Sequence, residues 1–343
     1  MRLNGDIKKY RMLIVFAIIA AIVPLFVREY TVHMMIMMLF FAYLAEAWNL
    51  IGGFAGQFAL GNGVYIGIGG YIVACLFKYN GITPWAALII AGIITGIIGV
   101  LVSYPCFKLR GTYYALATAA VLYAVKYFFT ANDTILGYKT GGALGIKLSY
   151  EGGFWKMQFV HKLPYYYIML GLLVIVILVS IYIKNSKSGF YYAAISTNQD
   201  AARTLGVNTT YYKMTAQFLS SFFTAIGGGF YVVYIMYIDP TRVLSYSMSI
   251  QILLYAIVGG ADTIWGPVLG GLVLYPLNET LRTAIGTSGA GISTALYGLL
   301  LMLVIAFMPS GVLPWINDKV KLYLRNHPDK FKFLKKNQKA EEV

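Results

Sequence analysis

An all-α polytopic membrane fold, with about eight to ten transmembrane or half-membrane helices, is what this sequence predicts, and three observations carry it. The chain is 59% hydrophobic and only 12% charged, where soluble domains average about 25% charged residues. Its apolar residues fall in runs close to the about 20 needed for a spanning helix. Its Lys and Arg gather between and beyond those runs rather than inside them.

The first run, Met12 to Val27, follows Arg2, Lys8, Lys9 and Arg11, as the apolar core of a signal peptide would. No small-x-small cleavage pattern follows it, and Arg28 and Glu29 come next, so it is read as a retained first helix. Nine further segments are expected at 32–51, 63–79, 84–104, 111–130, 163–183, 213–236, 248–259, 266–285 and 290–308. The segment at 248–259 is the weakest, because a dozen residues span only about 18 Å as a helix.

Alternation of these segments assigns each loop to one side. With the N-terminus inside, the inner loops hold Lys108, Arg110, Lys184, Lys187, Arg203 and Lys213, and a basic tail lies on the same side. More than twice as many Lys and Arg then lie inside as outside, so both termini are expected to be cytoplasmic. The chain divides into a membrane domain at 1–308, with an external loop at 131–162 and a cytoplasmic loop at 184–212, and a basic cytoplasmic tail at 309–343.

The net charge of +14 does not indicate nucleic-acid binding, which needs basic residues on a shared water-facing surface. His33, His161 and His327 lie far apart, and Cys75 and Cys106 lack zinc-site spacing, so no metal is expected. No catalytic nucleophile and base are arranged together, and there is no G-x-x-x-x-G-K-[ST] phosphate loop. The chain is therefore expected to be no enzyme and to hold no cofactor; if ATP drives it, another subunit binds the nucleotide.

Ionisable groups inside apolar runs are costly and mark candidate functional positions. Lys126 lies near a segment end, where it can snorkel. Glu279 and Arg282 stand three apart on one helix face and are expected to pair. Glu46 is deeper, and the sequence leaves it between a buried hydrogen bond and a pathway wall.

Paired glycines interrupt two apolar segments in similar ways. Asn49-Leu50-Ile51-Gly52-Gly53 runs on through Gly56 to Gly61, and Ala256-Ile257-Val258-Gly259-Gly260 runs on to Gly266. Glycine-interrupted segments in two halves point to a transport pathway, because broken helices expose backbone groups that bind polar solutes. Glu46, Asn49, Gln57 and Asn62 are the candidate pathway residues around the first break.

The inner loop carries a helix of its own. Thr197-Asn198-Gln199-Asp200 has the Thr-x-x-acid form of a capping box, followed by Ala201, Ala202, Arg203, Thr204 and Leu205, and Gly206 is a natural stop. A two-turn, Ala-faced helix between spans suits a groove on a soluble partner. The candidate contact residues are Asn198, Asp200, Ala201, Ala202, Leu205 and Gly206. The outer loop, with Thr140-Gly141-Gly142-Ala143-Leu144-Gly145, suits an ordered surface facing a second partner.

Four of these strings occur in one order and together resemble a known family. Asn49 to Gly61, Leu109-Arg110-Gly111-Thr112-Tyr113-Tyr114-Ala115, the stretch from Ser188 to Lys213, and Val258 to Gly270 are similar to the branched-chain amino acid ABC permeases, in particular their LivM-like subunits. Ala59 stands where that family usually has Ser, Asn62 where it often has His, and Ala261-Asp262 where it usually has a Gly-x pair. The first two departures leave the solute open.

The resemblance implies a multi-pass subunit of a bacterial cytoplasmic membrane that forms the pathway of an ATP-driven importer for leucine, isoleucine and valine. Its implied partners are a second related permease subunit, two cytoplasmic ATP-binding subunits and an extracytoplasmic solute-binding protein, besides membrane lipid. Ala201 to Gly206 would dock on an ATPase, and the outer loops would receive the binding protein. Two alternatives keep the topology: import of urea or another small polar solute by the same machine, and an ion-coupled secondary transporter acting alone.

Overall fold

The computed structural model describes residues 2–285, 290–308, 310–316 and 318–319. Among them run thirteen α-helices: α1 (Arg2–Ile22), α2 (Glu29–Gly52), α3 (Gly63–Asn80), α4 (Pro84–Cys106), α5 (Thr112–Ala131), α6 (Leu163–Asn185), α7 (Lys187–Thr197), α8 (Gln199–Thr204), α9 (Thr209–Ile235), α10 (Pro240–Val243), α11 (Tyr246–Gly260), α12 (Gly266–Ile285) and α13 (Ala290–Phe307). Each of the ten expected segments is helical. Six stretches are long and apolar enough to cross a membrane, namely α2, α4, α5, α6, α9 and the 21 residues Pro240–Gly260 that contain α10 and α11. The chain is therefore an all-α polytopic membrane protein.

The short segment at 248–259 gains length from both ends. α11 begins at Tyr246, capped by Ser245, and the helical turn α10 precedes it. The basic tail expected at 309–343 falls, but for 310–316 and 318–319, outside the described residues.

α2 is the central helix, packed against α6, α9, α11 and α12. Its second half, from Leu39 to Gly52, is continuously buried, with Tyr43 and Trp48 fully enclosed. The Tyr43 hydroxyl donates to Phe223 O at 2.7 Å, which ties α2 to α9. α9 in turn packs on α3 and α4 through small residues, Gly69 lying against Ala225 and Gly228 against Ile66. Such close approach is how membrane helices gain contact where lipid offers no hydrophobic drive.

The connections sort onto two opposite faces. On one, the loop from 132 to 162 folds over the ends of α3, α4 and α9: Lys78 Nζ donates to Lys147 O at 3.1 Å, Trp85 Nε1 to Phe154 O at 3.0 Å, and Leu148 N to Met236 O at 3.0 Å. This loop is ordered by short strands, β1 (Thr134–Ile135) with β2 (Tyr138–Lys139), and β3 (Ile146–Lys147) with β4 (Tyr237–Ile238). The β1–β2 turn puts Leu136 and Gly137 at φ 50° and 84°, the doubly left-handed geometry of a type I′ hairpin. Buried Gln158 organises the rest, accepting from Glu151 N and Gly152 N and donating to Ser149 O.

On the opposite face lie the α4–α5 turn, the end of α6, α7, α8, the start of α9 and the α11–α12 turn. The loop at 184–212 is mostly helical, with α7 continuing almost directly from α6. The sequence reading had marked only the shorter helix here.

Candidate functional site

α2 ends where its paired glycines stand. Gly53 N and Phe54 N both donate to Asn49 O, at 2.9 and 2.8 Å, and the chain leaves the helix. A Cβ at Gly53 would overlap Asn49 Oδ1 and lie 2.6 Å from Asp262 N, so only glycine lets the backbone pass here. The second break, between Gly260 and Gly266, is thus in direct contact with the first.

The Asn49 side chain makes that contact. It is fully buried, and its Oδ1 accepts the Asp262 N–H at 3.0 Å while its Nδ2 donates to Thr263 O at 2.9 Å and to Glu46 Oε2 at 3.3 Å. Thr263 Oγ1 accepts from Gly266 N at 2.9 Å and donates to Gly260 O at 2.6 Å, closing the α11–α12 turn. Lys184, at the end of α6, donates to Asp262 O and pairs with its carboxylate at 3.3 Å. Three helix ends meet at this knot.

From Gly53 to Asn62 the chain is not helical, and it climbs along the protein interior toward α3. Trp48 Nε1 donates to Ala59 O at 2.9 Å, Leu60 N to Thr118 Oγ1 at 3.0 Å, and Gly63 N to Ser249 Oγ at 2.8 Å. Irregular backbone at membrane depth persists only with such internal partners. Because Ser249 lies in the first turn of α11, the starts of α3 and α11 meet inside the bundle rather than at its rim.

Of the four candidate pathway residues, Glu46, Asn49 and Asn62 are enclosed and Gln57 is half-buried. Glu46 and Asn49 come together, whereas Gln57 and Asn62 stand on the extended stretch. Gln57 N donates to Ile51 O at 3.0 Å and its Nε2 to Ala55 O at 3.3 Å. Neither amide atom of Asn62, nor Oε1 of Glu46, has a hydrogen-bond partner among the described residues. Glu279 and Arg282 pair across the α12 surface at 3.8 Å, three residues apart as their spacing implied.

The opposite rim of the α4–α9 layer carries the second cluster. α8 is capped by Asn198, whose Oδ1 accepts from Asp200 N and Ala201 N at 3.0 and 3.1 Å. Thr197, the expected cap, instead closes α7 by donating to Ala193 O at 2.9 Å. The cap shifts by one residue because Asn198 sits in extended backbone while Thr197 is still helical. α8 ends in a Schellman motif: Gly206 at φ 84°, Gly206 N donating to Arg203 O and Val207 N to Ala202 O. Ala202 is buried, whereas Ala201 and Leu205 face outward, Leu205 being 83% exposed.

Two cross-links hold this six-residue helix. Arg110, in the α4–α5 turn, grips Asp200 with two parallel bonds of 2.7 and 2.8 Å. Lys213, in the first turns of α9, is buried and donates to Gln199 Oε1 at 2.7 Å, its Nζ 5.9 Å from the Phe107 ring. Adjacent residues of α8 therefore reach two different spanning helices. The Arg110 hydrogen bond holds the Asp200 carboxyl below the usual carboxylate range, and the same bond raises Arg110.

Sequence reading did not single out Arg110, Gln199 or Lys213 as site residues, nor Asp262 and Thr263. Arg110 and Asp200 lie 90 residues apart, and no spacing rule relates them. Only the order of the four family-like strings hinted at the link, since Arg110 and Asp200 belong to the second and third.

Comparison with known proteins gives one consistent result. Residues 30–308 match the family described as "Branched-chain amino acid transport system / permease component". The chain is 25% identical over 338 residues to "High-affinity branched-chain amino acid transport system permease protein LivM" of Salmonella typhimurium, covering 93% of this chain and 78% of that protein. It is 25% identical over 340 residues to the protein of the same name from Escherichia coli, with 93% and 79% covered. A Methanocaldococcus jannaschii protein, "Probable branched-chain amino acid transport permease protein LivH", is 25% identical over 265 residues, with 74% and 80% covered.

Proposed function

Since this chain belongs to the family of branched-chain amino acid transport permease components, we propose that it is a membrane-spanning subunit of an ATP-driven importer for leucine, isoleucine and valine. It has no ATPase site of its own and works in a bacterial cytoplasmic membrane with both termini inside. Its partners are a second related permease, two cytoplasmic ATP-binding subunits and an external binding protein.

The observation that carries this reading is α8. A free six-residue helix is too short to be stable in water, yet this one is capped at both ends and tied to α5 and α9 through Asp200 and Gln199. Its outward side presents Ala201 and Leu205. A rigid helix with one exposed apolar knob and two lines into the membrane is built to receive force from a soluble partner. The ATPases dock on Ala201 to Gly206 and move α5 and α9; the break from Gly52 to Gly61 and the knot at Asn49 flex in response, with Gln57 and Asn62 meeting the solute.

Uptake of labelled leucine and labelled urea, by cells with and without this chain, tests the reading. Leucine uptake should vanish with the chain and with ATP depletion, and survive collapse of the ion gradient. Loss of urea uptake instead would overturn the solute, and dependence on the gradient alone would overturn the machine.

A further inference from the structure

The outer surface of this bundle is of two kinds. α4 turns Ile89, Ile93, Ile97 and Leu101 outward, and α13 turns out Ile292, Leu296, Leu299 and Leu303. Both stripes are purely aliphatic, as lipid contact requires. α5 is different: it buries the smallest share of its length among the six membrane-crossing stretches, 28%.

The exposed stripe of α5 comprises Tyr113, Leu116, Ala120, Tyr123, Ala124 and Tyr127, which recur at helical spacing on one face. None of the three phenol hydroxyls has a hydrogen-bond partner among the described residues. Tyrosines near the ends of a span are ordinary, since headgroups and water reach them there. That accounts for Tyr113 and Tyr127. Tyr123 lies about halfway along the 20-residue helix, and it stands 5.7 Å, ring to ring, from Tyr246. Tyr246 opens α11, beside the exposed Ser247.

A hydroxyl facing hydrocarbon without a partner is strongly disfavoured. A mid-depth group of Tyr123, Tyr246 and Ser247 therefore faces water or polar groups. The interior offers no open route in this conformation, because Glu46, Asn49 and Asn62 are enclosed. We propose that the Tyr123 face of α5, with the start of α11, is one wall of a water-filled solute passage whose other wall is supplied by the second permease.

This rests on the permease reading above. The stripe has apolar ring faces, hydroxyls and two small residues, and it carries no formal charge. It suits a zwitterion with an aliphatic side chain better than an ion. α5 also begins two residues after Arg110, so motion of α8 reaches this wall first.

Cysteine accessibility in the fully assembled transporter tests the assignment. In a Cys75→Ala, Cys106→Ser background, Ala120→Cys, with Ala124→Cys as a second variant, is compared with Ile97→Cys on the lipid-facing stripe at similar depth. Thiol reagents attack the thiolate, which forms only where water reaches, so Ala120→Cys should react with a charged, membrane-impermeant methanethiosulfonate about 10-fold faster or more than Ile97→Cys. Leucine uptake should fall on modification, and leucine-loaded binding protein with ATP should slow the reaction. If Ala120→Cys and Ala124→Cys both react as slowly as Ile97→Cys while the transporter still takes up leucine, the face is dry and the proposal is wrong. Fast labelling in a protein without ATP-dependent uptake would instead keep the wet face and remove the permease reading.

Discussion

One amide side chain, that of Asn49, accepts from Asp262 N at 3.0 Å and donates to Thr263 O at 2.9 Å, and so joins two glycine-broken helices whose ends lie more than two hundred residues apart. The similar break patterns in the two halves are thus two sides of a single knot.

Replacing Asn49 with Leu should destabilise the protein by about 2–4 kcal/mol, because a buried donor and a buried acceptor are both left unpaired. Asp262 N and Thr263 O have no water to turn to at this depth. Thermal unfolding of the purified transporter should show the loss as a lowered Tm; an unchanged Tm would mean the knot is not a stability element.

Gly206 separates backbone strain from packing. Its φ of 84° is left-handed, yet nothing lies within 4 Å of a Cβ built there, so any effect of substitution comes from the backbone. Gly206→Val should cost about 1 kcal/mol or more in the helix stop and uncouple ATP hydrolysis from uptake, with the spanning helices intact. Gly206→Asn should retain most uptake, since Asn tolerates this region. Equal uptake in both variants would remove the role assigned to the end of α8.

Arg110 and Asp200 are both more than half exposed, and exposed pairs add little to stability. Arg110→Ala should therefore leave Tm nearly unchanged while lowering leucine uptake relative to ATP hydrolysis. Arg110→Asp combined with Asp200→Arg should restore it in part. Because the Asp200 carboxyl is held below its ordinary range, the contact is complete above the unfolded value and is lost only as pH falls through the lowered one. Uptake should then show no step from this pair between about pH 6 and pH 8. A step there, abolished by Arg110→Ala, would contradict the geometry.

Asn62 differs from Asn49 because its buried amide has no partner among the described residues. Exchanging an unpaired buried polar group for an apolar one of similar size is neutral or stabilising, so Asn62→Leu should hold or raise Tm. If Asn62 and Gln57 meet the solute as proposed, Asn62→Leu and Gln57→Leu should slow uptake with assembly intact. Normal uptake in both would take them off the pathway.

The helices were legible in the sequence because lipid imposes length and apolarity on every span. The breaks were legible too, since glycine is the one residue that can stand at Gly53 between Asn49 and Asp262. Local rules also found α8 and its stop at Gly206, missing the cap by a single residue because Thr197 and Asn198 are equally good caps until α7 takes one of them.

Partnership was another matter. That Asn49 closes the turn at Asp262, that Arg110 grips Asp200, that Lys213 reaches Gln199, and that α5 keeps its tyrosines outside depend on which helices pack together. A helix presents many faces, and its own sequence records their polarity, not their neighbours. Hydrophobic periodicity decides what is buried, and only the tertiary structure decides against what.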